Sequence, residues 1–457
     1  MAKDSIRYTC SSCGAVHLKG MGRCTTCGAW SSLTEEAVKG GGGSGSIARR
    51  ASASARNQPL PVSEIPADRA PRIPIGIAEL DRVLGGGAVP GGAVLVGGDP
   101  GVGKSTLLLQ AVAAIALHGP ALYVSGEEGA SQVALRARRL GVGGERLLVL
   151  SANEIGEIED AAKTAKPRAM VVDSVQTVRE GALGSPAGTV TQLREVTMRL
   201  VELAQREAIA MFLVGHVTKD GALAGPKVLE HLVDTVLSFE GERGHSFRAL
   251  RVTKNRFGSA TEVGLFEMTA EGMREVTQPS ALFLAERPRH ASGSVVAATA
   301  ESARSLLVEV QALVGAQGAG AGRRSATGVD GGRLAMLLAV LARRCGVEIG
   351  GADVFVNVAG GMRIDEPALD LPMALAIASS FRGLAFPADT AVFGEVGLSG
   401  EVRGVPRAPA RVAEARAMGF SRVLVPASSA ERLTRDERDG IELTPVKTLD
   451  AALDALG

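Results

Sequence analysis

From Pro61 to about Gln278 the chain alternates short apolar runs with longer mixed stretches. Ala93-Val94-Leu95-Val96, Leu122-Tyr123-Val124, Ala169-Met170-Val171-Val172 and Met211-Phe212-Leu213-Val214 carry no charged residue. Such runs read as strands buried on both faces. Leu107 to Leu117 between them reads as an apolar helix. Strand and helix in alternation predict a parallel α/β sheet. Phe247 to Val252 predicts a further strand, and Leu334–Ala342 an apolar helix in a different C-terminal region. Upstream the pattern stops. Glu35 to Leu60 contains Gly40-Gly41-Gly42-Gly43-Ser44-Gly45-Ser46, which is flexible coil. The expected division is therefore 1–34, a linker at 35–60, 61–278 and 279–457.

Composition sharpens this only a little. A 46% hydrophobic share beside 22% charged residues describes a globular chain, and 457 residues give length for about three domains. A formal net charge of +1 excludes a uniformly basic nucleic-acid coat but leaves room for local patches. Met1 to Tyr8 has no apolar signal-peptide core. The longest apolar runs are too short for a bilayer, so a cytoplasmic chain without a membrane partner is expected. Of five cysteines, Cys10, Cys13, Cys24 and Cys27 crowd the N-terminus. Two C-x-x-C turns let four thiolates face one ion, and the segment is too small to fold on a core of its own. Structural zinc is the expectation; iron or a redox pair is the alternative.

The strongest chemical signal is Gly98-Asp99-Pro100-Gly101-Val102-Gly103-Lys104-Ser105, followed by Thr106. It fits the phosphate-binding P-loop pattern and sits between a strand and a helix, as that loop requires. Lys104 is expected on the β- and γ-phosphates of ATP and Ser105 on magnesium (Mg²⁺). Asp173 ends a strand, where a carboxylate holding Mg²⁺ through water should stand. Glu127, with Glu128 second, is the expected group for positioning the attacking water. Either acid is alternatively an ordinary solvated one. His216 reads as a γ-phosphate sensor or as a structural histidine.

Three further stretches stay open on their residues alone. The linker from Ala37 to Leu60 carries Lys39, Arg49, Arg50 and Arg56 without an acid. It is a solvated tether or a phosphate-backbone contact. The glycine-rich connections 179–194 and 217–227 are plain loops, or loops that grip nucleic acid through Arg179, Lys219 and Lys227. Lys254-Asn255-Arg256-Phe257-Gly258 follows the strand at 247–252, and its two cations could reach a phosphate in the same subunit or the next.

Taken together, the cysteine pairs, Gly97-Gly98-Asp99-Pro100-Gly101, Tyr123-Val124-Ser125-Gly126-Glu127-Glu128 and Lys254-Asn255-Arg256-Phe257-Gly258 resemble the bacterial RadA (Sms) family of DNA repair and recombination ATPases, over almost the whole chain. The resemblance implies a RecA-like core assembled as a hexameric ring around single-stranded DNA. It implies ATP-driven translocation at branched recombination intermediates, alongside a strand-exchange recombinase and in the nucleoid. It places Lys254 and Arg256 across a subunit interface. One departure stands out: the stretch between the knuckles is Val16-His17-Leu18-Lys19-Gly20 instead of containing tryptophan, and Trp30 is the only tryptophan. A RecA-superfamily signalling module, as in circadian-clock relatives, is the alternative; those carry tandem ATPase domains, whereas this chain has one P-loop.

From about Pro279 the chain is similar to the Lon protease domain, on Val356-Asn357-Val358-Ala359-Gly360-Gly361, Asp370-Leu371-Pro372-Met373-Ala374 and Gly394-Glu395-Val396-Gly397-Leu398-Ser399-Gly400. The position of the Lon serine falls on Met373 and that of its lysine near Pro409. After Lys254 the only lysine is Lys447, expected inside a terminal helix, and after His245 the only histidine is His290. Cys345 reads as a core thiol. The expectation is a proteolytically inactive α+β scaffold. A DNA-facing surface is expected from Arg323, Arg324, Arg343, Arg344, Arg403, Arg407 and Arg411.

Overall fold

The structure is a computed structural model and describes residues 5–10, 15–17, 19, 21–28, 30, 33–38, 71–215, 228–241, 246–300, 304–317 and 322–456. They form two compact units. The first holds the described residues up to Phe239, with Val252–Ser259 and Ala270–Met273; the second holds Glu240–Arg251, Ala260–Thr269 and everything from Arg274.

The N-terminal finger is a small antiparallel sheet. β1 (Ser5–Cys10) lies between β2 (Val16–His17) and β3 (Leu33–Val38). Pairing of Ser5 with Val38 carries β3 past residue 34, where the apolar pattern ends the finger. Residues 39–60 of the expected linker lie outside the described residues. Among the described finger residues, Cys10 and Cys24 are the buried apolar positions. That is too little to stabilise a fold without a metal.

The rest of the first unit is doubly wound. α1 (Ala78–Val83) leads to β4 (Ala93–Gly98) and α2 (Lys104–Ala116). Then come β5 (Ala121–Ser125), α3 (Ala130–Arg139), β6 (Leu147–Ser151), α4 (Ile155–Ala165) and β7 (Ala169–Asp173). α5 (Val190–Glu207), β8 (Ala210–Val214), α6 (Val228–Leu232) and β9 (Thr235–Glu240) complete it. The strand order is β9-β4-β8-β7-β5-β6, parallel throughout. Leu95, Val124, Val172 and Leu213 face α4 and α5 in one core, while α2 packs on β5 and β7. The uninterrupted apolar runs are thus explained by helices on both faces.

β10 (Phe247–Asn255) belongs to the second unit through Arg251 and to the first from Val252, and its Phe247–Arg251 part pairs antiparallel with β11 (Val263–Thr269), from Phe247–Glu267 to Arg251–Val263. This pairing lies upstream of a single cut at 278. It joins the second unit because Val263, Leu265 and Val276 share a core with Phe283, Val295 and Val308. After β12 (Gly272–Glu275) and α7 (Pro279–Leu284) come β13 (Ser294–Thr299), β14 (Leu306–Gln317), β15 (Arg324–Thr327), α8 (Gly331–Cys345) and β16 (Ala352–Val358). Then follow α9 (Asp370–Arg382), β17 (Thr390–Val392), β18 (Glu395–Val396), β19 (Val402–Arg403), α10 (Ala408–Ala417), β20 (Arg422–Pro426) and β21 (Glu442–Val446). The mixed sheet runs β15-β16-β14-β13-β17-β20-β21. α8 and α9 share one core cluster with it, and α10 another. No helix among the described residues is long and apolar enough to cross a membrane.

Candidate functional site

β4 delivers the chain to the P-loop at Gly98. Its φ is +154°, and a Cβ there would sit 2.4 Å from the Phe239 carbonyl oxygen. Only glycine lets the backbone turn this close to β9. α2 starts at Lys104 with no capping side chain and no acid in its first turn. Its first N–H groups and its dipole therefore favour an anion over the loop. Lys104 is only 4% exposed. Its Nζ donates to the carbonyls of Gly98 (2.7 Å) and Asp99 (3.0 Å). Burial lowers the lysine pKa, opposed by the charges of Asp173, Asp99 and Glu127. Asp99, Pro100 and Gly101 are exposed, Val102 is buried, and Ser105 and Thr106 are half-buried in the first helical turn.

The acids come from the neighbouring strand tips. Asp173 ends β7, two strands from β4, and is in register with Ser125 of β5. The Tyr123 hydroxyl donates to Asp173 Oδ2 at 2.5 Å, and burial, then Asp173, pushes the phenol far above its ordinary range. The Ser174 hydroxyl donates to Glu127 Oε1 at 2.6 Å. Glu128 pairs with Arg136 of α3. Glu127 is exposed at the tip, so of the two acids it is the one presented to the cleft. Lys104, Asp99, Glu127 and Asp173 thus form one electrostatic group. Tyr123 and Ser174 were not singled out from the sequence. The available signal was a phenol inside a strand otherwise buried and aliphatic, since a buried hydroxyl needs a partner.

Lys254 and Arg256 stand elsewhere. Lys254 lies inside β10, and its Nζ donates to the carbonyls of Glu230 (2.6 Å) and Val233 (2.7 Å). Burial, then Arg256, lowers its pKa. Arg256 Nη1 meets Asp234 Oδ1 at 3.1 Å, and Asp234 Oδ2 accepts from the Ala93 N–H at 3.0 Å. Ala93 begins the strand that Gly98 ends, so the basic turn sits about 17 Å along the sheet from the P-loop.

Other expectations resolve residue by residue. His216, Lys219 and Lys227 lie outside the described residues. Arg179 Nε is bound to Glu154 Oε1 at 2.7 Å. Arg411 cannot face DNA. It is 1% exposed, stacks over Phe393, donates to the carbonyls of Ala298 and Pro406, and pairs with Glu366. Arg324 donates to the carbonyls of Ala352 and Gly350, and Arg403 pairs with Glu401. Arg323, Arg343, Arg344 and Arg407 are exposed.

Met373, at the position of the Lon serine, is 2% exposed and belongs to the main core of the second unit. It lines a cavity of about 130 Å³ with Asp330, Arg333 and Asp370. Arg333 grips Asp370 through two guanidinium nitrogens, Nε on Oδ1 at 3.0 Å and Nη2 on Oδ2. Burial raises the Asp370 pKa against that pairing. Pro409 is exposed on α10. Lys447 follows β21 instead of lying in a helix, and it lines a different cavity. Cys345 packs against the core, and burial raises its thiol pKa.

In the finger, the sulfurs of Cys10, Cys24 and Cys27 lie within 4.8 Å of one another; Cys13 is outside the described residues. Cys10 and Cys27 are 3.7 Å apart. Tetrahedral zinc with Zn–S near 2.3 Å places sulfurs about 3.8 Å apart, so the donor set fits. The Cys27 backbone N–H, more than any other group, lowers the Cys24 thiol to about 5. That favours the thiolate a metal needs. His17 Nε2 is 3.4 Å from Cys24 Sγ, a second-layer partner that the cysteine spacing does not reveal.

Comparison with known proteins agrees with this layout. The family model described as an AAA domain matches residues 59–222, that described as subunit ChlI of Mg-chelatase matches 336–429, and that described as a rubredoxin metal binding domain matches 8–35. The fold is therefore an α/β P-loop ATPase core between an N-terminal cysteine ribbon and a Lon-like α+β domain. DNA repair protein RadA of Pseudomonas aeruginosa is 48% identical over 459 residues, the whole of both chains. The Bacillus subtilis protein of that name is 46% identical over 455 residues, 99% of each, and the Brucella abortus one 48% over 437, 94% of each. On these grounds the chain belongs to the RadA family of DNA repair proteins.

Proposed function

We propose that the chain is a DNA-dependent ATPase, a helicase-like translocase that drives branch migration and strand exchange at recombination intermediates. It works as a homo-oligomeric ring, a hexamer, on single-stranded and branched DNA beside a strand-exchange recombinase in the nucleoid. One observation carries the reading: the phosphate-binding loop follows the C-terminal end of β4, while Arg256 is tied through Asp234 to Ala93 at the start of that strand. A protomer so built completes its neighbour's pocket and not its own.

The residues divide the work. The α2 amides and Lys104 bind the triphosphate, with Lys104 exchanging its bonds to the Gly98 and Asp99 carbonyls for phosphate oxygens. Ser105 and Asp173 would hold Mg²⁺, which when bound supplies charge neutralisation at the β- and γ-phosphates. Glu127, fixed by Ser174, orients the attacking water. Arg256, with its side chain 55% exposed although anchored by Asp234, reaches the next protomer's γ-phosphate, and Lys254 stands beside it. Zinc on Cys10, Cys13, Cys24 and Cys27 holds the finger. The Lon-like domain is a scaffold without peptidase activity, since a thioether replaces the nucleophile at Met373.

The test is steady-state ATP hydrolysis with and without single-stranded DNA, and branch migration on forked DNA. Stimulation by DNA and strand displacement are expected. A turnover indifferent to DNA, with tight nucleotide binding, would favour a nucleotide-gated binding module.

A further inference from the structure

Resting on the nucleotide reading above, we infer that the Tyr123 hydroxyl is a positioning group for Asp173, pinning one carboxylate oxygen so that the other is presented to the divalent cation. Tyr123 is fully buried in β5 and pairs with Val171, two residues before Asp173. Side chains two apart on adjacent parallel strands share a face, about 7 Å apart along it, which is the reach of a tyrosine ring. That face is the one α2 covers, on the P-loop side. A phenylalanine would fill the same space. The hydroxyl is buried and has a single donor, and that donor goes to Oδ2 at 2.5 Å.

The carboxylate torsion of an aspartate is broad and roughly two-fold, so an unheld Asp173 would rotate between several orientations. Lys104, whose charge Asp173 already feels, would attract a freed carboxylate toward the loop. The phenol removes that freedom. Oδ1 accepts no hydrogen bond among the described residues, and it remains for a metal-bound water. The neighbouring acid has a separate anchor, Ser174 on Glu127. Holding the metal and orienting the water are thereby assigned to different hydroxyls.

The experiment uses the full-length protein and reads binding instead of turnover. A fluorescent ATP analogue is titrated first in EDTA and then against Mg²⁺, for wild type, Tyr123→Phe, Asp173→Asn and the double variant. For Tyr123→Phe the Mg²⁺ concentration at half-maximal tightening should rise about tenfold, the scale of one hydrogen bond to a charged group. Affinity in EDTA should stay within about twofold. In the Asp173→Asn background the second change should add nothing, because the two side chains act as one unit. A Tyr123→Phe midpoint equal to wild type overturns the inference. So does an equal loss of affinity in EDTA, which would make the phenol a packing residue. A wild type that binds but does not hydrolyse ATP would overturn the proposed activity while leaving this midpoint readable.

Discussion

In the first unit, Asp173 and Glu127 each accept a hydrogen bond from a neutral hydroxyl and stand beside a lysine whose partners are backbone carbonyls. In the second unit, Asp370 is gripped by Arg333, and Glu366 by Arg411 with the Ala300 N–H. The difference is one of remaining capacity. A neutral hydroxyl orients an acid without cancelling its charge, so a cation or a water can still be drawn in. A paired arginine, bidentate on Asp370 and through one nitrogen on Glu366, neutralises the acid and closes the site. Two sheets of similar make can thus present acids in a cleft, and only the partner of each acid tells a reactive site from a structural one.

The largest expected break of this contrast is Lys104→Ala, which should lower ATP turnover by about 10³-fold, the scale of losing a charge clamp on a transferring phosphoryl group. Hydrolysis rates beside unchanged circular dichroism check it. Arg411→Ala acts on the other side. It leaves the half-buried Glu366 without its cation and opens a hole where the buried Arg411 packed, and should destabilise the second unit by about 3 kcal/mol. Denaturant unfolding should record the loss while nucleotide affinity at low denaturant stays put.

Much of this was legible beforehand because parallel sheets write their strands as uninterrupted apolar runs, and β7 in particular was bounded to the residue by Ala169 and Asp173. The P-loop and cysteine pairs are local, so spacing alone exposes them. What stayed hidden depends on long-range pairing. Asp234 anchors both Arg256 and Ala93, which is 141 residues away from it. Arg411 looked like any surface cation, since nothing in its neighbours announces that α10 turns it inward onto Phe393. The extension of β3 to Val38 likewise follows from its partner β1 and not from its own composition.

A smaller effect concerns pH. Burial puts the Lys104 pKa below 10.5, so between the lowered value and 10.5 the unfolded chain binds a proton that the folded chain does not. Stability therefore rises with pH across that window. Triphosphate affinity runs the other way: it is full below the window and falls through it, because bound phosphates need the ammonium. Titrations of an ATP analogue from neutral pH to 10.5 should show the decline, and Lys104→Arg should flatten it, since a guanidinium stays charged.

The claim on which the account turns is that one protomer's Lys254–Arg256 turn serves the next protomer's P-loop. Mixing Arg256→Ala protein with Lys104→Ala protein, each inactive alone, measures it directly. Mixed assemblies contain some pockets with an intact Lys104 on one side and an intact Arg256 on the other, so DNA-stimulated hydrolysis should reappear in the mixture. Hydrolysis that stays at the level of the separate variants, in assemblies shown to exchange subunits, would contradict it.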